Sequence, residues 1–393
     1  MNRKLQIGDR IIGDDYPCMI IAEAGANCNS NIEIAIELID RAAEAGADCI
    51  KFQHYVAEKL VTKIAPKYYV DTMEEFINSS EPKGFQYDEF QLLDGLTQEQ
   101  WRKIFDYCQE KKILFLSTPF DFENALFLNN LGMSAFKIAS ADITYLPFIK
   151  YVAEFKKPII LSTGASTLEE ILRAVNIIRK TGNNQIAILQ CTLHYPCHNN
   201  EVNLGAIDIL KEVFPDYCVG LSDHSLGILV PLIAAARGAN IIEKHYTIDK
   251  TLADSTDHFM SVNPIELKNL VEQVKEIPSI IGKYSKKPDK SEKNAILYAR
   301  RSLTSACEIK KGDRISLDKI IFKRPGTGIQ PYEVDKIIGK IINIDIPYDT
   351  TITWEMLEGK KKLLQRLLNT VLLIYCILFL KNVKEIMKLI ILG

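Results

Sequence analysis

The sequence is short of most features that would take it out of the ordinary soluble proteins. It has no surplus of either charge: 48 Lys and Arg against 50 Asp and Glu leave a net −2. A nucleic-acid protein would normally carry a basic excess, so no nucleic-acid partner is expected. It has no CxxC pair, and its 9 cysteines are scattered through 393 residues. That excludes a disulfide scaffold and a zinc finger and points to a reducing, cytoplasmic setting. Residues 1–9 are polar and lack the apolar core of a secretory signal. No GxGxxG follows the first apolar run, which argues against a dinucleotide-binding sheet.

What is present is a globular composition, 47% apolar and 25% charged, in a chain long enough for more than one domain. The last 35 residues depart from it. Residues 359–393 hold seven Lys or Arg and one Glu, a net +6, so residues 1–358 carry 41 against 49, or −8. Within them Leu367–Leu380 (LLNTVLLIYCILFL) is almost wholly apolar. As a helix it would reach roughly 21 Å at ~1.5 Å per residue, short of a ~30 Å hydrocarbon core. A basic and hydrophobic extension, separate from the catalytic body and without membrane contact, is expected.

Strand-like and helix-like segments alternate regularly before that. Apolar runs at 18–25, 49–53, 113–120, 135–140, 158–164, 186–192, 218–225 and 241–247 are each followed by a stretch of helical spacing. Ser166 and Glu169 have capping-box spacing ahead of a helix over 168–180. Residues 56–96 interrupt the rhythm as an inserted loop. Eight βα units in about 265 residues are the size and number of a TIM barrel. The expected organisation is a barrel over 1–283, a linker over 284–300, a small β-rich unit over 301–358 and the extension over 359–393.

Polar residues at the C-terminal ends of barrel strands face the mouth. Here they are Glu23, Asn27, Lys51, Gln53, Thr118, Lys137, Ser140, Asp142, Ser162, Thr192, Tyr195, Ser222, His224 and His245. Any one of these can be a satisfied core residue; eight consecutive strands ending this way are hard to explain structurally. Lys51 and Lys137 on inward faces call for a resident anion, because unpaired buried ammonium groups are costly. With Thr118, Ser140 and Ser162 as donors, the pocket suits a phosphate ester. His224 and His245 end neighbouring strands and can hold a divalent metal with open positions. Two imidazoles alone are a weak signal, strengthened by the anion pocket, Glu23 and Asp257. His54, His194 and His198 lack such context and are expected in loops or at the surface.

The motifs EAGxN (23–27), KFQ (51–53), STPFD (117–121), FKIAS (136–140), LSTG (161–164), GLSDHS (220–225), EKHYT (243–247) and TDHFMS (256–261) together resemble the N-acetylneuraminate (sialic acid) synthase family. ARRSL (299–303), KKGD (310–313) and KRPGTGI (323–329) resemble its SAF, or antifreeze-like, domain. The resemblance runs over about residues 5–358.

It implies condensation of phosphoenolpyruvate (PEP) with an N-acyl hexosamine, typically N-acetylmannosamine, to give a nine-carbon 2-keto acid and phosphate. It also implies Mn2+, Mg2+ or Co2+ on His224 and His245. Lys51, Lys137, Ser140, Thr118 and Ser162 would hold PEP, and Ser222 joins the substrate residues. Asp142 would serve the carbocation-like PEP C2 as an electrostatic or basic carboxylate. Glu23, Gln53, Tyr195 and Asp257 would contact sugar or metal-bound water, and Arg324 the sugar's acyl group. A homodimer with exchanged SAF domains is implied too. Cys28 in place of His, Asp142 in place of Glu and Leu193 in place of a polar residue depart from the usual pattern and leave the sugar open. The alternatives are a legionaminate or pseudaminate synthase and, from another class, a non-catalytic carbohydrate-binding SAF protein, which requires a decayed barrel site.

Overall fold

The segment Met19–Gly25 (MIIAEAG, β3) is buried at every position, as befits a parallel strand covered on both faces. The computed structural model describes residues 3–252, 255, 257–283 and 285–357, so the extension with Leu367–Leu380 lies outside the described residues. The chain divides into two compact units, 1–282 and 283–393.

The first unit opens with an antiparallel hairpin of Lys4–Ile7 (β1) and Arg10–Gly13 (β2), which the polar look of residues 1–9 conceals. Leu5, Ile7 and Ile12 are its buried contribution to the core. Seven more strands follow β3: Cys49–His54 (β4), Leu114–Pro119 (β5), Phe136–Ile138 (β6), Ile159–Ser162 (β7), Ile186–Cys191 (β8), Cys218–Asp223 (β9) and Ile241–His245 (β10). Parallel ladders run in the order β5-β4-β3-β10-β9-β8-β7-β6. First and last strands pair, with His245 opposite Glu23, so the sheet curls round on itself. β5 and β6 complete the circuit side by side. The expected (β/α)8 TIM barrel is what the chain forms.

The outer helices are Ile32–Ala45 (α1), three short pieces Ala57–Leu60 (α2), Met73–Ile77 (α3) and Gln86–Leu93 (α4), then Gln98–Lys111 (α5), Phe122–Leu131 (α6), Leu146–Glu154 (α7), Leu168–Lys180 (α8), Ala206–Val213 (α9), Leu229–Ala236 (α10) and Pro264–Ile281 (α11). The insertion at 56–96 is thus partly helical. The capping box of α8 falls one residue later than expected. Thr167 accepts from Glu170 N, and Glu170 reaches back to Thr167 N at 2.8 Å, while Ser166 Oγ donates to the Gly164 carbonyl. The helix itself spans 168–180 as expected, with Ile171, Ala174, Val175 and Ile178 on its buried face. No helix among the described residues is long and apolar enough to cross a membrane.

The second unit carries the short helix Lys293–Tyr298 (α12), inside the stretch expected as linker. Ser302–Ser305 (β11) pairs antiparallel with Ile320–Lys323 (β12). Its core is small and mostly isoleucine: Ile309, Ile315, Ile329, Ile337, Ile342, Ile346 and Ile352 gather round Leu303.

Candidate active site

Strand alternation decides which side chains enter the barrel mouth. Along β10, Glu243 and His245 face inward and Lys244 faces out, where it meets Asp223 of β9 at 2.8 Å with both side chains buried. On the inner side a cavity of about 300 Å3 is lined by Glu23, Lys51, Gln53, Thr118, Lys137, Ser140, Asp142, Ser162, Tyr195, Ser222, His224 and His245. Twelve expected residues therefore converge. Asp257 lines an adjoining cavity, 3.4 Å from His245 Nδ1. Arg324 belongs to the second unit and is exposed there. A larger open groove of about 670 Å3 lies over the insertion. Its Lys67 is paired with Asp71 at 2.8 Å and Glu89 at 3.0 Å, and its other lysine, Lys83, is exposed.

Two backbone positions make room for this convergence. Gly25 follows a register shift after Glu23 and has φ +53, and a Cβ there would sit 3.4 Å from both Glu23 Oε1 and Gln53 Nε2. At Gly164 a Cβ would lie 2.9 Å from Ser140 Oγ and 3.0 Å from Leu193 N. Gly164 N instead donates to Ser140 Oγ at 2.9 Å.

The expected pair of uncompensated lysines is corrected by Glu243. Lys51 Nζ is 2.6 Å from Glu23 and 3.7 Å from Glu243, and it donates to Thr118 Oγ1 at 3.1 Å. Lys137 Nζ is 3.2 Å from Glu243. Ser222 Oγ donates to Glu243 at 3.1 Å, and Gln53 Nε2 to Glu23 at 3.2 Å. Two carboxylates thus offset the desolvation of two ammonium groups, which needs no permanent anion. Glu243 was legible in EKHYT, but its inward direction follows from strand register.

The two carboxylates sit in different environments. Burial opposes the charge on Glu243, yet Lys137 and Lys51 outweigh it and hold its pKa below the usual range. Burial pushes Glu23 up, against Lys51 and with help from the negative Glu243. Asp142, on the 3-10 turn Ser140–Asp142 after β6, is pushed up to about 6 by burial, with Lys137 pulling the other way. Its Oδ2 and the Ser162 hydroxyl are buried with no hydrogen-bond partner among the described residues.

His224 and His245 lie with ring centroids 5.3 Å apart, and Tyr195 stacks on His224 at 4.0 Å. His224 Nδ1 donates to the Thr192 carbonyl at 2.7 Å, since a carbonyl can only accept. That leaves Nε2 for another partner, the usual outer support of a ligating histidine. Burial opposes the charge on His224, but Cys191, 3.9 Å away, moves its pKa up; burial and His224 together drive His245 well down. Asp257 is pushed up to about 7 by burial and by Glu89 and Glu23. Among the described residues no group of three or more His, Cys, Asp or Glu is gathered closely enough to enclose an ion. His224, supported through Nδ1, together with His245 and the nearby Asp257 carboxyl, fits a divalent ion that keeps most of its positions for water or substrate.

The other histidines behave differently. His54 is not a loop or surface residue: it ends β4, is buried outside the barrel, and packs on Trp101 at 4.6 Å and Phe127 at 5.4 Å. Burial takes its pKa down to about 4. His194 and His198 are exposed, as expected. His258 is buried between Thr247 Oγ1 at 2.7 Å and Asn29 Oδ1 at 3.1 Å.

A barrel with this mouth, followed by a small isoleucine-cored unit, defines a synthase-type enzyme with an appended SAF domain. The chain belongs to the NeuB family, which it matches over residues 38–286, and residues 300–358 match the SAF domain. It is 37% identical over 362 residues to the N,N'-diacetyllegionaminic acid synthase of Legionella pneumophila, covering 91% of this chain and 99% of that one. It is 39% identical over 356 residues to an uncharacterized protein of Methanocaldococcus jannaschii, covering 91% and 99%. The pseudaminic acid synthase of Campylobacter jejuni is 35% identical over 349 residues, covering 88% and 97%. Among solved structures, the N-acetylneuraminic acid synthetase of Leptospira borgpetersenii, in complex with citrate, aligns with TM-score 0.64 at 35% identity, covering 75% of this chain and 96% of that one. The named relatives thus include synthases of sialic, legionaminic and pseudaminic acids, which supports an enzyme over the non-catalytic alternative.

Proposed function

We propose that this chain condenses PEP with the aldehyde of an N-acyl hexosamine, N-acetylmannosamine being the simplest, to give N-acetylneuraminate or a related nonulosonate and phosphate. The observation that carries the reading is the charge arrangement in the cavity. Lys51 and Lys137 share Glu243 at 3.7 and 3.2 Å, and Lys51 also meets Glu23 at 2.6 Å. Two buried ammonium groups converge on one wall of the cavity, where they can exchange carboxylate contacts for the PEP anion. The free Ser162 hydroxyl, with Thr118 and Ser140, adds donors.

In the reaction, PEP C3 forms a bond to the sugar C1, and a water oxygen adds to PEP C2. The bond between C2 and the phosphate's bridging oxygen then breaks, phosphate leaves, and the oxygen added from water gives up its remaining proton to become the C2 keto group. Lys51 and Lys137 orient PEP and hold its charge. Glu23, raised and hydrogen-bonded by Gln53, is placed to supply a proton to the aldehyde oxygen as it becomes a hydroxyl. Asp142, ionised above about pH 6, stabilises positive charge at C2 or takes a proton from the adding water. His224 and His245 would hold the Mn2+, Mg2+ or Co2+ ion, whose chemistry is polarisation of the sugar carbonyl. Tyr195, Ser222 and Asp257 orient the acceptor and its neighbours.

A second reading concerns the acceptor. Leu60, Val61, Phe90 and Leu193 line the cavity and suit a 6-deoxy sugar, as in legionaminate or pseudaminate synthesis. Mixing PEP, Mn2+ and N-acyl hexosamines and following phosphate tests the function. Release that requires both PEP and the sugar is expected; no release with any N-acyl hexosamine overturns the reading.

A further inference from the structure

A second charged cluster is buried behind the mouth, on the outer face of β9 and β10. Lys244 Nζ lies 2.8 Å from Asp223 Oδ2, and the two side chains are 0% and 1% exposed. Lys244 also donates to the Ser225 carbonyl. Asp223 in turn accepts from Ser225 N at 3.0 Å through Oδ1 and from Ser225 Oγ at 3.0 Å through Oδ2. None of the three residues lines the mouth cavity, so the chemistry proposed above uses none of them. A buried ion pair is weak evidence of stability, because apolar residues of similar volume often serve as well. Its place in the chain points to another use.

Asp223 precedes His224, and Lys244 precedes His245. In the β9–β10 ladder Glu243 stands opposite Ser222 and Lys244 opposite Asp223, and the ladder ends there, one residue short of both histidines. Side chains take over from the backbone at that point. On the inner face Ser222 Oγ donates to Glu243 at 3.1 Å; on the outer face Lys244 bonds Asp223 and reaches past His224 to Ser225. The Asp223 carboxylate and Ser225 N close a turn around His224. The His224 ring has a bond of its own, to the Thr192 carbonyl. His245 Nδ1 has no hydrogen-bond partner among the described residues, so that ring depends on where β10 puts it. The hold between the strands at this step therefore fixes how the two imidazoles face each other, with centroids 5.3 Å apart.

We infer that Asp223 and Lys244 are positioning residues, a buried clamp that sets the spacing of His224 and His245 and through it the affinity for the divalent ion. The inference rests on the reading of those histidines as metal ligands and deepens it. Outer supports of ligating side chains carry about 10- to 100-fold in metal affinity. A clamp that acts through the backbone of both ligands belongs near the lower end of that range.

The test is the Mn2+ affinity of the full-length protein by titration calorimetry, measured beside Tm. Lys244→Met leaves Asp223 as an unpaired buried charge and can fail to fold for that reason alone. Asp223→Asn combined with Lys244→Met removes both charges and keeps an oxygen to accept from Ser225 N, so the double variant carries the test. Its Tm is expected within a few degrees of wild type and its Mn2+ Kd about tenfold higher, with KM for PEP unchanged at saturating Mn2+. Asp48→Asn is the control. Asp48 accepts from Ile20 N at 2.8 Å and meets Arg10 at 2.7 Å, just before β4 and at the end of the barrel away from the mouth. This variant should lower Tm and leave the Mn2+ Kd unchanged. A double variant with the wild-type Kd, one that does not fold, or a control whose Kd rises as much would show a strut and no more. Each overturns the inference while the metal and synthase readings stand. Wild-type protein that binds no Mn2+ overturns the metal reading and the inference together, and phosphate release tests the synthase reading separately.

Discussion

Lys51 Nζ lies 2.6 Å from a Glu23 carboxylate oxygen, with both side chains 2% exposed. A pair this deep is held by mutual need. Each charge alone would be costly at that depth, and the neighbouring Glu243 ties Lys137 into the same cluster.

Removing Lys51 should therefore damage stability as well as PEP use. Lys51→Met leaves Glu23 and Glu243 sharing only Lys137, and a loss of about 3–5 kcal/mol is expected in urea unfolding. Lys51→Met combined with Glu23→Gln should recover part of that stability but not the apparent affinity for PEP. A double variant as unstable as the single one would show that the pair is not coupled.

Asp142 sets the acid side of the pH profile. Its folded pKa, about 6, lies above the ordinary aspartate value of 3.8. The folded state thus binds the proton more tightly, and stability falls as pH rises from about 3.8 to 6. Asp142→Asn should be more stable than wild type at pH 7, and the difference should close as pH drops through that window. Turnover of the wild type should fall about tenfold per unit below pH 6 if the carboxylate is the working form. Equal stability of the two proteins at pH 7 would remove the burial argument.

Exhaustive chelation should abolish phosphate release, and Mn2+, Mg2+ or Co2+ should restore it. Two imidazoles are a sparse set, so binding is expected to be reversible. His224→Ala and His245→Ala should each remove Mn2+ binding, followed by titration calorimetry, with circular dichroism unchanged. Full binding by either variant would exclude that histidine as a ligand.

The exchanged dimer can be checked by mixing two inactive variants, His224→Ala and Arg324→Ala, unfolded and refolded together. If SAF domains act across the dimer, each mixed dimer regains one whole site. About half the dimers are mixed, so activity should return to roughly one quarter of wild type. A mixture no more active than its parents, with mixed dimers confirmed by tagged pull-down, would exclude exchange.

The alternation of apolar runs and helical spacing was enough to place all eight barrel strands, because parallel strands buried on both faces are predominantly apolar. It also placed Lys51, Lys137, His224 and His245, because residues at strand ends face the mouth whatever the loops do. The hairpin over Lys4–Gly13 escaped, since half of its residues face outward and are polar. The α8 capping box was off by one, because two overlapping Ser/Thr-x-x-Glu patterns are equivalent until a helix face must be buried. Which carboxylate answers each lysine was settled only by folding. Glu243 and Glu23 are 220 positions apart in sequence, yet β10 pairs with β3, so ring closure brings both carboxylates to Lys51. His54 looked like a loop residue until the register of β4 turned it outward against Trp101. Sequence determined the chemistry available at the mouth; the barrel's closure decided which groups neutralise one another, because charge pairing depends on distance through space.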